Sequence, residues 1–138
     1  MRIVGIDYGD ARVGIAVCDL SGTIASAVCT LEVGGMRDAV SKCAVKIAEL
    51  GAEKIVLGLP KNMDGSKSFR AEKTRAFAGM ITEETGLEVV FIDERLSTVE
   101  AYTYMNISDF NGKKRRKVID SLSAQIILQS YLDSQKRG

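Results

Sequence analysis

Three acidic positions of the chain stand where a carboxylate is costly to bury, and they are candidates for catalysis. Asp7 ends the first apolar segment of the sequence. Asp93 and Glu94 follow a second apolar segment, residues 89–92, and the pattern alone does not choose between them. Asp120 lies in a predicted helix, although aspartate is a poor helix former. A buried carboxylate needs a partner or a cation, so three that meet would favour Mg²⁺ or Mn²⁺, which suit all-oxygen sites.

Each acidic position also has a simpler interpretation. Asp7 is typical of a turn residue, because a Tyr-Gly pair follows it. The Asp-Glu-Arg segment at 93–95 is consistent with a surface ion pair at a strand end, and Asp120 with pairing to Arg116 or Lys117. Their order along the chain, at two strand ends and then in the last helix, makes an accidental triplet less plausible and favours one shared site.

The composition narrows the chemistry that this site can perform. The chain has no histidine, so the commonest general base and the commonest zinc ligand are both absent. Hydrolysis must therefore depend on carboxylates, with or without a hard metal ion. The three cysteines, Cys18, Cys29 and Cys43, show no CxxC spacing and are expected to be reduced core residues.

Length and hydropathy predict the class of protein. With 138 residues, 46% of them hydrophobic, we expect a single domain spanning residues 1–138. No apolar run approaches the roughly 20 residues that cross a bilayer, and the N-terminus lacks the order of a signal peptide. These features predict a cytoplasmic protein without a membrane partner.

Positive charge is concentrated rather than general, since the net charge is only +1. Five successive cations occur shortly before Asp120, and the segment 106–116 is predicted to be a mobile basic loop that holds backbone phosphates. These cations are Lys113, Lys114, Arg115, Arg116 and Lys117. Further candidates for phosphate contact are Arg70, Lys73 and Arg95. A solvated surface is the simpler interpretation of all of these charges.

Apolar periodicity predicts the elements that must position the acids. The order is β-β-β-α-β-α-β-α-α, with strands at residues 2–8, 13–18, 23–33, 55–59 and 88–92, and helices at 36–50, 68–85, 97–105 and 117–132. This order predicts an α/β fold: a five-stranded mixed sheet, comprising a three-strand antiparallel meander plus two parallel strands, flanked by helices. We expect the first strand to be central, with Asp7 and Glu94 on neighbouring strands. Asp120 shares its helix face with apolar residues and should lie against the sheet.

The sequence resembles the YqgF/RuvX family over essentially its whole length. The motifs occur in the family's order: GIDYG at 5–9 with GIAV at 14–17, GLPKNMDG at 58–65, DERLST at 93–98 and DSLSA at 120–124. The second and third of these segments are the specific ones, because a strand with Asp-x-Gly occurs in many phosphate-binding folds.

This resemblance implies an RNase H-like fold related to Holliday-junction resolvases and an endonuclease dependent on Mg²⁺ or Mn²⁺. The family's catalytic and metal-binding acids correspond to Asp7, Glu94 and Asp120. The implied role is 5′-end maturation of pre-16S rRNA in the cytoplasm, with ribosomal precursor particles as partners. Alternatives are a Holliday junction resolvase acting on branched DNA and a non-catalytic RNA-binding module. An actin-like phosphotransferase needs two such domains, for which the chain is too short. A resolvase would be a homodimer, whereas rRNA processing requires only a monomer.

Overall fold

A computed structural model of the chain describes residues 1–59, 68–93 and 112–137. The strands, in chain order, are β1 (Ile3–Tyr8), β2 (Arg12–Cys18), β3 (Ala25–Glu32), β4 (Lys54–Leu59) and β5 (Val89–Asp93). The helices described are α1 (Met36–Leu50), α2 (Ser68–Thr85) and α3 (Gly112–Arg137). The predicted helix at 97–105 and most of the GLPKNMDG motif lie outside these ranges.

The five strands form one mixed sheet in the order β3-β2-β1-β4-β5. The pairs β1–β2 and β2–β3 are antiparallel, whereas β1–β4 and β4–β5 are parallel. The predicted meander, the two added parallel strands and the central position of β1 are therefore confirmed. One expectation is wrong, because β5 pairs with β4 and not with β1. The connection through α1 places β4 beside β1, and the connection through α2 adds β5 on the outer side of β4.

The last helix is longer than the sequence predicted. It begins at Gly112 and ends at Arg137, so the predicted loop 106–116 is wrong over residues 112–116, and its earlier part lies outside the described residues. Lysine and arginine are good helix formers, but a cationic run carries no apolar periodicity from which a helix could be recognised.

The two faces of the sheet are covered by different helices. Ile6 and Tyr8 of β1 belong to the apolar core beneath α1 and α2, whereas Ile3 packs with residues of α3. Gly5 also faces α3, since a Cβ added to it would come within 2.7 Å of the Leu128 Cβ. Side chains alternate along a strand, so Asp7 lies on the face that α3 covers.

The bounds of α1 and α2 and the state of the cysteines agree with the predictions from sequence. The bounds of α1 and α2 are those expected, and Gly51 ends α1 with a φ of 65°, a left-handed conformation that favours glycine. The three cysteines are free; Cys18 and Cys43 are buried and Cys29 is half-buried. Among the described helices, none combines the length and apolar character that a membrane crossing requires.

Candidate active site

Asp7 is held near the end of the central strand, on the face covered by α3. Its cross-strand partner on β2 is Gly14. Directly paired residues of an antiparallel ladder project on the same side, with Cβ positions about 5 Å apart. Whatever lies against Gly14 is therefore close to the carboxylate of Asp7.

The backbone of α3 lies directly on Gly14, at Asp120. A Cβ added to Gly14 would overlap the carbonyl group of Asp120 and would come within 3.0 Å of the Ser121 nitrogen. Only glycine permits this approach, since the atoms it meets are backbone atoms rather than flexible side-chain ends. The cross-strand spacing then brings the backbone of Asp120 within about 8 Å of the Asp7 Cβ. The side chain of Asp7 and the backbone of Asp120 therefore lie on the same face of the sheet.

Arg12 connects the start of β2 to the carboxylate on α3. Its Nε donates a hydrogen bond of 2.9 Å to Oδ2 of Asp120, with side chains 32% and 25% exposed. A charge-assisted bond of this length orients the carboxylate as well as balancing its charge. The sequence interpretation named only Arg116 or Lys117 as ionic partners, and it missed Arg12. One sequence signal could have pointed to Arg12. It lies two residues from Gly14 on β2, and residues two apart on a strand share a face.

The predicted third acid, Glu94, and its neighbour Arg95 lie outside the described residues. Asp93, the last residue of β5, is exposed. Val89 packs with the core beneath α1 and α2, whereas Ile92 packs with the α3 core, so alternation puts Asp93 on the side away from Asp7. Within the described ranges no group of three acids or cysteines is close enough to hold a metal ion.

Arg70 and Lys73 lie beside the end of β1, but on the α2 side of the sheet. They line a cleft of about 140 Å³ together with four other residues, which are Tyr8, Gly9, Asp10 and Thr74. Lys73 Nζ lies 3.3 Å from Oδ1 of Asp10, an acid that the sequence interpretation did not single out. Burial, and secondarily the charge of Asp10, raises the pKa of the Tyr8 hydroxyl. Both predicted cations are thus close to the strand end that carries Asp7, while the side chains of 113–117 lie outside the described residues.

Solved structures with the same fold include resolvases bound to four-way junctions. T. thermophilus RuvC in complex with a Holliday junction substrate superposes with a TM-score of 0.63 and 11% identity, over 99% of this chain and 96% of that chain. The fowlpox virus resolvase in complex with Holliday junction DNA superposes with a TM-score of 0.59 and 14% identity, over 98% of this chain and 99% of that chain. At such identities the likeness concerns the fold alone, and it confirms the predicted RNase H-like architecture.

Relatives at higher identity match along nearly their whole length. Proteins of Caldanaerobacter subterraneus subsp. tengcongensis and Clostridioides difficile both bear the name "putative pre-16S rRNA nuclease". The first is 43% identical and covers 100% of both chains; the second is 46% identical and covers 96% of this chain and 94% of its own. The family model RuvX, described as Holliday junction resolvase, matches residues 1–134. On this similarity the chain belongs to the RuvX family.

Proposed function

We propose that this chain is a metal-dependent endonuclease that processes the 5′ end of pre-16S rRNA, with Asp7, Glu94 and Asp120 as its catalytic carboxylates. The observation that carries the proposal is the contact of α3 with Gly14, which brings Asp120 to the face and strand end that hold Asp7. Two carboxylates held on rigid elements on the same face of a sheet can share a divalent ion, which supports phosphodiester hydrolysis without histidine.

The donor set suits a hard divalent ion. Asp7 and Asp120 offer carboxylate oxygens, which Mg²⁺ and Mn²⁺ prefer. We assign the third position to Glu94, as the family resemblance implies, rather than to Asp93, because Asp93 lies on the side of β5 away from Asp7. The strand β4 separates β1 from β5, a spacing of about 10 Å that favours the longer side chain of glutamate. When bound, a divalent ion supplies Lewis-acid stabilisation of the charge that develops at the scissile phosphate.

The other residues near the site position the acids and attract the substrate. Arg12 fixes the carboxylate of Asp120 through its 2.9 Å hydrogen bond, so the acid does not need to be reordered when the substrate binds. Arg70 and Lys73, beside the end of β1, add positive charge where a polyanionic backbone would pass. We assign the activity to the cytoplasm, as the family resemblance implies.

The name carried by the relatives supports RNA as the substrate, since they match nearly the whole chain. A second candidate is a Holliday junction resolvase, which the description of the family model and the fold shared with RuvC favour. Both substrates present the same phosphodiester to the same chemistry, and a shared fold does not decide between them.

A direct comparison of the two substrates tests the proposal. Single-turnover cleavage would be measured on a pre-16S 5′ fragment and on a synthetic four-way junction, with Mg²⁺ and with chelator. We expect faster cleavage of the RNA, complete loss with chelator and loss in Asp7→Asn. The matched control is Asp38→Asn, because Asp38 is an acid of α1 with a side chain 38% exposed, which lies 3.1 Å from Lys42 and accepts a hydrogen bond from the N–H of Gly34 at 2.8 Å. Faster cleavage of the junction would favour the resolvase, and binding of RNA without any cleavage would favour a non-catalytic module.

A further inference from the structure

We propose that the first turns of α2 form a stacking platform for an unpaired nucleotide of the substrate. This platform consists of Phe69, which would stack on the base, and of Arg70 and Lys73, which would contact the adjoining phosphates. The inference rests on the proposed function, since it specifies which part of a nucleic acid the chain recognises next to the cleavage site.

Phe69 is an aromatic side chain presented to solvent beside a cation. It is 62% exposed, although phenylalanine is among the residues most often buried. The ammonium of Lys73 lies 4.9 Å from the centre of its ring, within the range of a cation–π contact. An exposed ring with a positive charge beside it is the combination that proteins use to bind single-stranded nucleic acid, in which bases stack on aromatic groups and cations hold the backbone.

The ionic partner of Lys73 is one that a phosphate could replace. Its ion pair with Asp10, at 3.3 Å, joins side chains that are 38% and 72% exposed, and exposed pairs contribute little to stability. Arg70 is exposed as well. A backbone phosphate could therefore take the place of Asp10 at Lys73 without breaking any buried contact.

The position of the platform connects it to the acids. Asp10, Arg70 and Lys73 line one cleft with Tyr8 and Gly9, the residues that follow Asp7 at the end of β1. A nucleotide held on Phe69 would thus lie beside the strand end that carries the catalytic carboxylate. Because bases in a duplex are already stacked on one another, the platform selects substrates with an unpaired nucleotide next to the cut.

The test is a binding measurement that does not involve cleavage. Affinity for a short single-stranded RNA containing one 2-aminopurine, and for its fully paired duplex, would be measured without divalent ions by anisotropy and by 2-aminopurine quenching. Phe69→Leu should weaken binding of the single strand by about 10-fold and abolish the quenching, while duplex affinity changes less than about 2-fold. Phe69→Trp should preserve both signals. Val45→Ala is the control, because Val45 is a 60% exposed apolar residue of α1.

Two results would overturn the platform: single-strand affinity and quenching unchanged in Phe69→Leu, or an equal loss for the single strand and the duplex. Asp10→Asn provides an independent check, since release of Lys73 should tighten single-strand binding, and weaker binding would exclude Lys73 as a phosphate contact. The assay contains no metal and needs no turnover. A chain that stacks the base but cleaves nothing would refute the proposed function and leave the platform intact.

Discussion

Gly14→Ala should separate the two acids while leaving the fold in place. The added methyl group would overlap the carbonyl of Asp120 and come within 3.0 Å of the Ser121 nitrogen, so α3 must move away from β2 by more than about 1 Å to restore an ordinary contact. Overpacking of this kind costs about 1–3 kcal/mol of the free energy of unfolding. A displacement of about 1 Å at a catalytic group can lower the rate about 100-fold. We expect both effects, measured by urea unfolding and by single-turnover cleavage of a pre-16S fragment.

Two control variants distinguish displacement of Asp120 from general destabilisation. Gly5→Ala would place a methyl group 2.7 Å from the Leu128 Cβ and 2.9 Å from the Ala124 oxygen, one turn further along α3, so it should lower stability with a much smaller loss of rate. Gly79→Ala meets nothing within 4 Å and should stabilise α2 by up to about 1 kcal/mol. If Gly14→Ala remains folded and cleaves at the wild-type rate, the contact of α3 with β2 does not position a catalytic group.

Three further predictions concern the metal, a buried thiol and the cationic run. Asp7→Asn should raise the melting temperature without metal, because clustered carboxylates repel, and should remove the stabilisation by Mg²⁺ seen in the wild type; an equal Mg²⁺ response in both proteins would argue against Asp7 as a ligand. Burial raises the pKa of the Cys43 thiol from its ordinary 9.0 to about 12, so the unfolded chain loses this proton first and stability falls between about pH 9 and pH 12. The advantage of the wild type over Cys43→Ala in urea unfolding should therefore shrink across that range, and a constant difference would contradict the assignment. Neutralising residues 113–116 should lower the salt slope of RNA binding by about 0.7–0.9 for each phosphate that the variant no longer binds, and an unchanged slope would move the search for the phosphate track to Arg70, Lys73 and Arg95.

Strand alternation and apolar periodicity were sufficient to predict most of the fold. The bounds of α1 and α2, the meander and the central β1 follow from patterns within short segments. The position of β5 could not be obtained in this way, since a parallel strand can be added on either side of an earlier one and the choice depends on the crossover. The start of α3 was missed for a different reason, because its first residues form a helix without contributing an apolar stripe.

The sequence named Asp7 and Asp120 as candidate site residues, but it did not reveal the contacts that hold them on one face of the sheet. Asp7 and Asp120 were recognisable because each stands at a position where burying a carboxylate costs free energy. Arg12 lies 108 positions from its partner along the chain, and no local pattern reveals such a pairing. The role of Gly14 is equally hidden in the sequence. A glycine on which a helix backbone packs closely looks the same in sequence as one that only weakens a strand.

The central claim is that Asp7 and Asp120 act as parts of one catalytic site. It is tested most directly by a double-mutant cycle of Asp7→Asn, Asp120→Asn and the double substitution, with single-turnover cleavage of a pre-16S fragment in Mg²⁺ as the readout. Residues that act as a unit are strongly non-additive, so the double variant should be about as slow as the slower single variant. Rate losses that multiply, or a single variant that cleaves at the wild-type rate, would contradict the account.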